Sequence, residues 1–234
     1  MDWISFWDGS HAIYTSDRHK HVHYARIAQD IAGFVPNPEA RVLDYGCGEA
    51  LGAEALAQAC GSLTLSDAAP GVRQGLKARV AGNPRIAVLS PEEVAALPEG
   101  SFDLIVANSL LQYLSPQVRD DLMAIWRRLL APDGTLLVAD VIPPHVSAVR
   151  DAAALLRFGA AEGFLGSAVL GLVRTVFSPY RKLRADLGLS QYSEADMLGV
   201  LAKAGFAARR VRPNVGHNQE RMAFTATRDA SRAP

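Results

Sequence analysis

The chain has 234 residues, 49% of them hydrophobic, and its 24 basic residues balance its 24 acidic ones. Nucleic acids and anionic membrane surfaces bind proteins with an excess of basic residues, so this balance argues against both and favours a small-molecule partner. The length fits one domain of the larger kind, spanning residues 1–234.

Signals for targeting and for disulfide bonding are weak. The two cysteines, Cys47 and Cys60, are too few for a disulfide framework, which favours a reducing compartment. The first residues lack the basic region and apolar stretch of a signal peptide. The most apolar segment, Gly163–Val173, is shorter than the ~20 residues of a membrane span. We therefore expect a cytoplasmic protein with no membrane span.

The first 35 residues predict an arm followed by a helix. Residues 1–20 are dense in aromatic side chains, which favours an arm that folds over a bound ligand. Apolar residues then recur at helical spacing from Tyr24 to Phe34, which predicts a helix over His21–Gly33.

Three histidines alternate in His19-Lys20-His21-Val22-His23, a pattern that invites comparison with a metal site. No cysteine or carboxylate stands at a familiar ligand spacing from them, so we expect no metal. Exposed or capping histidines, or a role near the substrate, remain open.

A strand, a glycine turn and a helix follow one another around Val42–Ala50. Arg41–Leu43 predicts a buried strand, and Ala53–Ala59 predicts a helix behind it. Glycines between them let the backbone approach a ligand and aim free helix N–H groups at it, which suits an adenosine-containing cofactor. A dinucleotide fingerprint requires a third glycine, but Leu51 stands there.

The pattern Asp44-x-Gly46-x-Gly48-x-Ala50 resembles motif I of the class I S-adenosylmethionine-dependent methyltransferases, of the small-molecule, type 11 kind. Further segments support the resemblance in the family's order. They are Leu63–Asp67, Ile86–Glu92, Ser101–Asn108 and Pro132–Asp140, so the resemblance covers residues 40–142 well.

Strands that alternate with helices predict an α/β fold with a parallel sheet covered on both faces. The resemblance implies a doubly wound, Rossmann-like, mostly parallel seven-stranded sheet whose last strand is antiparallel. Within it we expect a helix from Ser115 to Leu130 and a turn at Asp133-Gly134. Residues 40–142 would form the cofactor-binding core. Residues 193–228 would add a helix, opened by a Ser193–Asp196 capping box, and a strand pair, Phe206–Val211 and Arg221–Thr227.

Residues 143–192 are the least family-like part. Helical spacing predicts two helices broken near Gly159–Gly166, which would form a helical lid over the strand ends. Its apolar side chains would line the substrate pocket; they are Leu155, Leu156, Phe158, Phe164, Leu165, Val169 and Leu172. The alternative is a homodimer surface. As a lid, residues 145–190 would order together with residues 1–20 when ligands bind.

The resemblance also implies the site. Asp44 would orient the cofactor's amino group, the Gly46 and Gly48 turn would admit its methionine part, and Asp67 would hold its ribose. The full set expected to bind cofactor is Asp44, Gly46, Cys47, Gly48, Asp67, Ala68, Ser90, Pro91, Glu92, Asn108 and Ser109, with Ser90, Pro91 and Glu92 near the adenine. Candidates for the catalytic base or orienting group are Tyr14, His23, Gln112 and His217.

Three functions follow from these patterns. The first is transfer of a methyl group from S-adenosylmethionine to an apolar or amphipathic small molecule, which leaves S-adenosylhomocysteine. The second is an NAD-dependent oxidoreductase, which the missing third glycine and the missing Tyr-x-x-x-Lys pair disfavour. The third is a non-catalytic module that binds S-adenosylmethionine.

Overall fold

A computed structural model describes residues 3–9, 14–144, 148–175 and 188–229. Its strands are β1 (Arg41–Tyr45), β2 (Ser62–Ser66), β3 (Ile86–Leu89), β4 (Phe102–Asn108), β5 (Leu130–Val141), β6 (Phe206–Val211) and β7 (Met222–Arg228). Within the described ranges they form one seven-stranded sheet in the order β3-β2-β1-β4-β5-β7-β6.

The strand directions match the sequence prediction. Strands β1 to β5 pair in parallel, whereas β7 pairs antiparallel with both β5 and β6. The strand order reverses between β1 and β4, so the segments that follow these two strands lead to opposite faces of the sheet. The crevice between such segments is the usual place for a ligand. The mostly parallel sheet with an antiparallel last strand is therefore confirmed.

The start of β5 differs from the prediction. Instead of a turn at Asp133-Gly134 that leads into the strand, β5 begins at Leu130, directly after a helix. Phe102 pairs with Leu130 but Leu104 pairs with Thr135, so the register shifts and the intervening residues bulge out of the ladder. The glycine is accommodated inside this bulge.

Helices cover both faces of the sheet. They are α1 (Trp3–Asp8), α2 (Asp17–Ala32), α3 (Ala53–Gln58), α4 (Pro70–Val80), α5 (Pro91–Ala95), α6 (Pro116–Leu129), α7 (Ala148–Glu162), α8 (Leu165–Thr175) and α9 (Glu194–Lys203). One core joins α2, α3 and α4 to one face, and the other joins α5, α6 and α9 to the opposite face. Val42 belongs to the first core and Leu43 to the second, as strand alternation requires.

Several helix ends follow from side-chain caps. The hydroxyl oxygens of Ser115 and Ser193 accept from backbone N–H groups of α6 and α9, as predicted. The N-terminal helix, in contrast, begins earlier than the predicted His21, because Ser16 caps it by accepting from the His19 backbone N–H. All three alternating histidines therefore lie inside α2.

The segment expected to form two broken helices does so. Helices α7 and α8 are separated at Gly163, whose φ of +75° is in the left-handed region that favours glycine. Among the described residues, no helix has both the length and the apolar content to cross a membrane.

Candidate functional site

A continuous cavity of about 2120 Å³ lies at the carboxyl ends of β1, β2, β4 and β5. Single small-molecule sites typically occupy about 300–1,000 Å³, so this space has room for a cofactor and a second molecule. Its walls come from the strand ends, from α1, α2 and α7, and from the loop between β6 and β7.

The glycine turn after β1 forms one wall. Gly46 and Gly48 have φ values of +75° and +56°, which a residue with a Cβ adopts only with strain. The carboxylate of Asp67 accepts hydrogen bonds of 2.9 Å from the backbone N–H groups of Gly48 and Ala69. Asp67 thus fastens the glycine turn to the end of β2. Each carboxylate oxygen retains a lone pair for a ligand hydroxyl.

Asp44 presents a buried negative charge beside that turn, with the residue only 8% exposed. Burial, and then repulsion from Asp67, raises its pKa to about 7, and no cationic group lowers it. A ligand with a positive charge would supply the missing counter-charge. The ammonium and sulfonium groups of S-adenosylmethionine fit this requirement.

The segment expected near the adenine divides between two roles. Pro91 and Glu92 border the cavity. The Ser90 hydroxyl accepts from the Glu93 backbone N–H while the Glu93 carboxylate accepts from the Ser90 N–H. The Ser90 side chain therefore forms the capping box that begins α5. Ser90 is a helix cap and does not line the cavity.

Helix α2 packs directly on the glycine turn, a contact that the sequence motifs did not indicate. The Tyr24 hydroxyl accepts from the Glu49 backbone N–H at 3.1 Å, and a Cβ added to Gly48 would stand 2.9 Å from the same oxygen. Lys20, on the same helix, pairs with the Glu49 carboxylate at 2.5 Å. In the sequence Tyr24 belongs to the apolar stripe of its helix, and no neighbouring residue indicates that it contacts the glycine turn.

Helix α1 covers another part of the cavity with aromatic rings. Trp3 and Trp7 lie 4.6 and 5.7 Å from the ring of Tyr113, measured between ring centroids. The Asp8 carboxylate accepts from the Gly71 N–H in the first turn of α4 at 2.5 Å. The aromatic arm therefore bridges from α4 to the segment after β4.

Unsatisfied polar atoms collect after β4. The side-chain carbonyl oxygens of Asn108 and Gln112 are buried and have no hydrogen-bond partner among the residues that the structure describes, and both residues border the cavity. A buried acceptor without a donor costs about 1–3 kcal/mol. Ser109 follows with a φ of +55°. The wall thus presents hydrogen-bond acceptors that a ligand with donor groups would satisfy.

Three histidines and Tyr14 form a second wall. His23 lies between His19 and His217, with ring centroids 6.1 and 5.8 Å away, and Tyr14 is 5.5 Å from His23. Burial lowers the pKa of His19 and His217 to about 4 and that of His23 to about 3. Burial also raises the Tyr14 pKa far above its ordinary value. At neutral pH this wall is therefore uncharged, with imidazoles that are weak bases and a phenol that stays protonated.

His21, the middle member of the alternating histidines, points elsewhere. It is exposed, and its ring nitrogen Nδ1 lies 2.8 Å from the Asp17 carbonyl oxygen. Within the part of the chain that the structure describes, no group of three or more histidine, cysteine or acidic side chains is arranged to hold a metal ion.

Helices α7 and α8 contribute to the cavity less than expected. Leu155 on α7 and Leu172 on α8 line it, but Leu165 and Val169 are 44% and 49% exposed. Phe158 instead stacks on His217 with centroids 4.6 Å apart. The apolar stripe of α8 is thus divided between the interior and the surface, a division that helical spacing does not determine.

Asp140, at the end of β5, is a cavity residue outside the predicted set. Its carboxylate oxygen Oδ2 accepts from the Ser109 hydroxyl at 2.8 Å, and its φ is +58°. Burial raises its pKa, an effect that nearby Arg221 partly offsets. Arg221 pairs at 2.8 Å with Asp151 on α7. An acid that closes the apolar run of a predicted strand, in the segment Pro132–Asp140, was the available signal for Asp140.

Most of the predicted site residues meet in this one cavity. With Ser90 as the exception, the expected cofactor-binding residues and all four catalytic candidates line it; they are Tyr14, His23, Asp44, Gly46, Cys47, Gly48, Asp67, Ala68, Pro91, Glu92, Asn108, Ser109, Gln112 and His217. Their convergence comes from the sheet, since parallel strands bring their carboxyl ends to one edge.

Comparison with known proteins agrees with this geometry. Residues 43–138 match the model of a methyltransferase domain family. A ubiquinone biosynthesis O-methyltransferase of Xanthomonas campestris pv. campestris is 36% identical over 117 residues, or 47% of this chain and 46% of that protein. The chain thus spans about half the length of the curated relatives it matches.

Solved structures share the fold at low sequence identity. A chain from the complex of the Haloferax volcanii Trm112 methyltransferase activator with a methyltransferase superposes with a TM-score of 0.63 at 12% identity, covering 97% of this chain and 98% of the other. A TehB-like S-adenosylmethionine-dependent methyltransferase of Corynebacterium glutamicum has a TM-score of 0.53 at 18% identity, with 87% of each chain covered.

Proposed function

From the match of residues 43–138 to a methyltransferase domain family, we propose that this chain is a class I S-adenosylmethionine-dependent methyltransferase that methylates a hydroxyl oxygen of an apolar or amphipathic small molecule. Its cofactor is S-adenosylmethionine. The observation that carries the proposal is one large cavity whose lining includes both the buried carboxyl group of Asp44 and the uncharged wall of His19, His23, His217 and Tyr14.

The residues of the glycine turn fit the cofactor. Asp44 offers its negative charge to the cofactor's ammonium, and Asp67, already fixed by two backbone N–H groups, offers lone pairs to the ribose hydroxyls. Gly46 and Gly48 let the backbone come close. The cofactor supplies a methyl group on a positively charged sulfur, which is electrophilic without help from a protein nucleophile.

Alignment and exclusion of water are then the main contributions of the protein. The aromatic rings of α1 and the apolar residues of α7 and α8 surround the cavity. We propose that these helices order further when both ligands bind, as expected for a cover. Parts of the two predicted segments, residues 10–13, 145–147 and 176–187, lie outside the described residues.

The nature of the acceptor follows from the second wall. Its imidazoles are uncharged at neutral pH and its lining includes Leu155 and Leu172, so it favours an uncharged acceptor with apolar surface. The buried carbonyl oxygens of Asn108 and Gln112 favour a group that donates hydrogen bonds. The name of the Xanthomonas relatives, which specifies O-methyl transfer, supports oxygen as the acceptor atom.

The proposal is tested by incubating the purified protein with methyl-labelled S-adenosylmethionine and four acceptors of similar size: 4-butylphenol, hexan-1-ol, hexylamine and hexanethiol. Label is expected in an organic-extractable methyl ether. Label in the amine or thiol product would refute oxygen transfer. Calorimetric titration with NAD and S-adenosylhomocysteine addresses the oxidoreductase alternative, and binding without turnover of any acceptor would favour a non-catalytic module.

A further inference from the structure

We propose that Asp140 is a catalytic residue that accepts the hydrogen bond, and then the proton, of a neutral acceptor hydroxyl. This inference rests on the proposed function and specifies the substrate class further: the acceptor enters as an uncharged alcohol or phenol, not as an anion.

The position of Asp140 is the first argument. It follows Ala139, which pairs with Asn108 at the end of β4, so Asp140 and Ser109 stand side by side at the edge of the sheet that borders the cavity. Both residues have left-handed backbones, with φ of +58° and +55°. Such conformations are strained in residues other than glycine and concentrate at functional sites. Here they bring the Ser109 hydroxyl to the Asp140 carboxylate.

The surroundings hold this carboxylate in place. The Asp140 backbone N–H donates to the Asn214 side-chain oxygen at 3.1 Å, and Asn214 is only 3% exposed. The Asn214 amide group in turn donates to the Val215 and Asn218 carbonyl oxygens. These bonds fix the Asp140 backbone, and the Ser109 hydroxyl fixes its carboxylate oxygen Oδ2, so the acid has a defined position at the cavity, as a proton acceptor requires.

The proton affinities of the cavity groups favour Asp140 over the histidines. Burial raises the pKa of Asp140 above its ordinary value, whereas burial lowers the pKa of His23 to about 3 and that of His217 to about 4. A carboxylate with a raised pKa is a better proton acceptor, and an imidazole with a lowered pKa is a worse one. Tyr14, whose pKa is raised, already holds its proton.

The proposed step balances in atoms and charge. The acceptor oxygen forms a bond to the methyl carbon, and the electron pair of the broken carbon–sulfur bond stays on sulfur. The hydroxyl proton passes to the Asp140 carboxylate, which becomes a neutral carboxyl group. One positive and one negative charge disappear together, so a poorly hydrated cavity favours the step.

Several charged or titratable groups face Asp140 from the elements around it. They are Arg221 in the loop between β6 and β7 and Asp151 on α7, and His217 of the same loop also lines the cavity. Arg221 is held by Asp151, so its charge compensates two carboxylates at once. An anionic acceptor would add a third negative charge here, which is the reason to expect a neutral one.

The direct test uses 4-nitrophenol, whose absorbance distinguishes phenol from phenolate, bound to the protein saturated with S-adenosylhomocysteine. The pKa of the bound probe should be higher than that of the free probe, because Asp140 disfavours the phenolate. In Asp140→Asn the ionisation constant of the bound probe should rise by at least about tenfold, so that its pKa falls. Asparagine tolerates a left-handed backbone and can still accept from Ser109, so the variant should fold. Asp121→Asn, an exposed acid-to-amide change on α6, is the matched control.

Kinetics provide the second readout. With the acceptor that shows turnover, Asp140→Asn should lower kcat by roughly 10²-fold or more and leave the KM for S-adenosylmethionine unchanged. The fall of wild-type kcat at acidic pH should disappear in the variant. Equal probe pKa values in both proteins, or no binding of the probe, would overturn the role of Asp140. Absence of cofactor binding would instead refute the proposed function, and the probe titration of the cofactor-free protein would still test Asp140.

Discussion

Replacing Asp44 with asparagine should make the cofactor-free protein more stable and the cofactor weaker in binding. Burial and Asp67 raise the Asp44 pKa to about 7 from its usual 3.8. Between these two values the folded protein binds a proton that the unfolded chain has released, so its free energy of unfolding falls as pH rises. Above pH 7 the loss of unfolding free energy reaches its full size. It is ~4 kcal/mol, because each pH unit between the two pKa values contributes ~1.4 kcal/mol.

The expected measurement follows from that slope. Urea unfolding of cofactor-free wild type and Asp44→Asn, followed by tryptophan fluorescence, should show a difference in unfolding free energy that widens by ~2–3 kcal/mol between pH 5 and pH 7. The difference should then remain level up to pH 8. Calorimetry at pH 8 should show that the variant binds S-adenosylmethionine ~1–3 kcal/mol more weakly, because a charge-assisted hydrogen bond is lost.

A matched variant isolates the cause. Asp103 pairs with Arg41 at 2.8 Å, and the Arg41 hydrogen bond lowers the Asp103 pKa. Asp103 therefore stays ionised above pH 5 in both folded and unfolded protein. Asp103→Asn should shift stability by an amount that does not change between pH 5 and pH 8. If the Asp44→Asn difference is equally constant over that range, the reasoning about its buried charge is wrong.

Three further outcomes are expected. Asp67→Ala should weaken S-adenosylhomocysteine binding by about 1–3 kcal/mol in calorimetry; unchanged affinity would refute its assignment. Gly52→Ala should lower the melting temperature, because its Cβ would stand 2.6 Å from a side chain of α2, whereas Gly75→Ala, with nothing within 4 Å, should not; equal changes would contradict this packing. His23→Gln should reduce the gain in stability from pH 4 to pH 6.5, since the buried imidazole, with its pKa lowered to about 3, stays neutral where the unfolded one is charged; unfolding curves with unchanged pH dependence would count against it.

Much of the architecture could be predicted because its signals are local. Apolar runs, the glycine turn and helix caps are each encoded within a few residues, and the parallel sheet then brings the acids that follow its strands to one edge. The spacing of the motifs was therefore enough to predict Asp44 and Asp67 as site residues, and both line the cavity.

The remaining features depend on contacts between distant parts of the chain. Tyr24 meets Glu49 across 25 residues, and Ser109 meets Asp140 across 31. No periodicity within α2, after β4 or along β5 indicates these pairs. Likewise, helical spacing places Leu165 and Leu172 on one helix, but only packing decides that the first is exposed and the second faces the cavity.

The contact between Tyr24 and Gly48 shows that the structural unit around the glycine turn begins before the segment matched by sequence similarity. The family match starts at residue 43, yet the glycine turn inside the match depends on Tyr24 of the preceding helix α2. The Tyr24 hydroxyl accepts from the Glu49 N–H, and Gly48, which has no Cβ, leaves space for that hydroxyl. A shortened protein cut to residues 43–138 would keep the Asp44–Ala50 pattern but lose the Tyr24 side of the glycine turn. The segment matched by sequence similarity is therefore shorter than the structural unit that forms the turn, and helix α2, which lies outside the match, belongs to that unit.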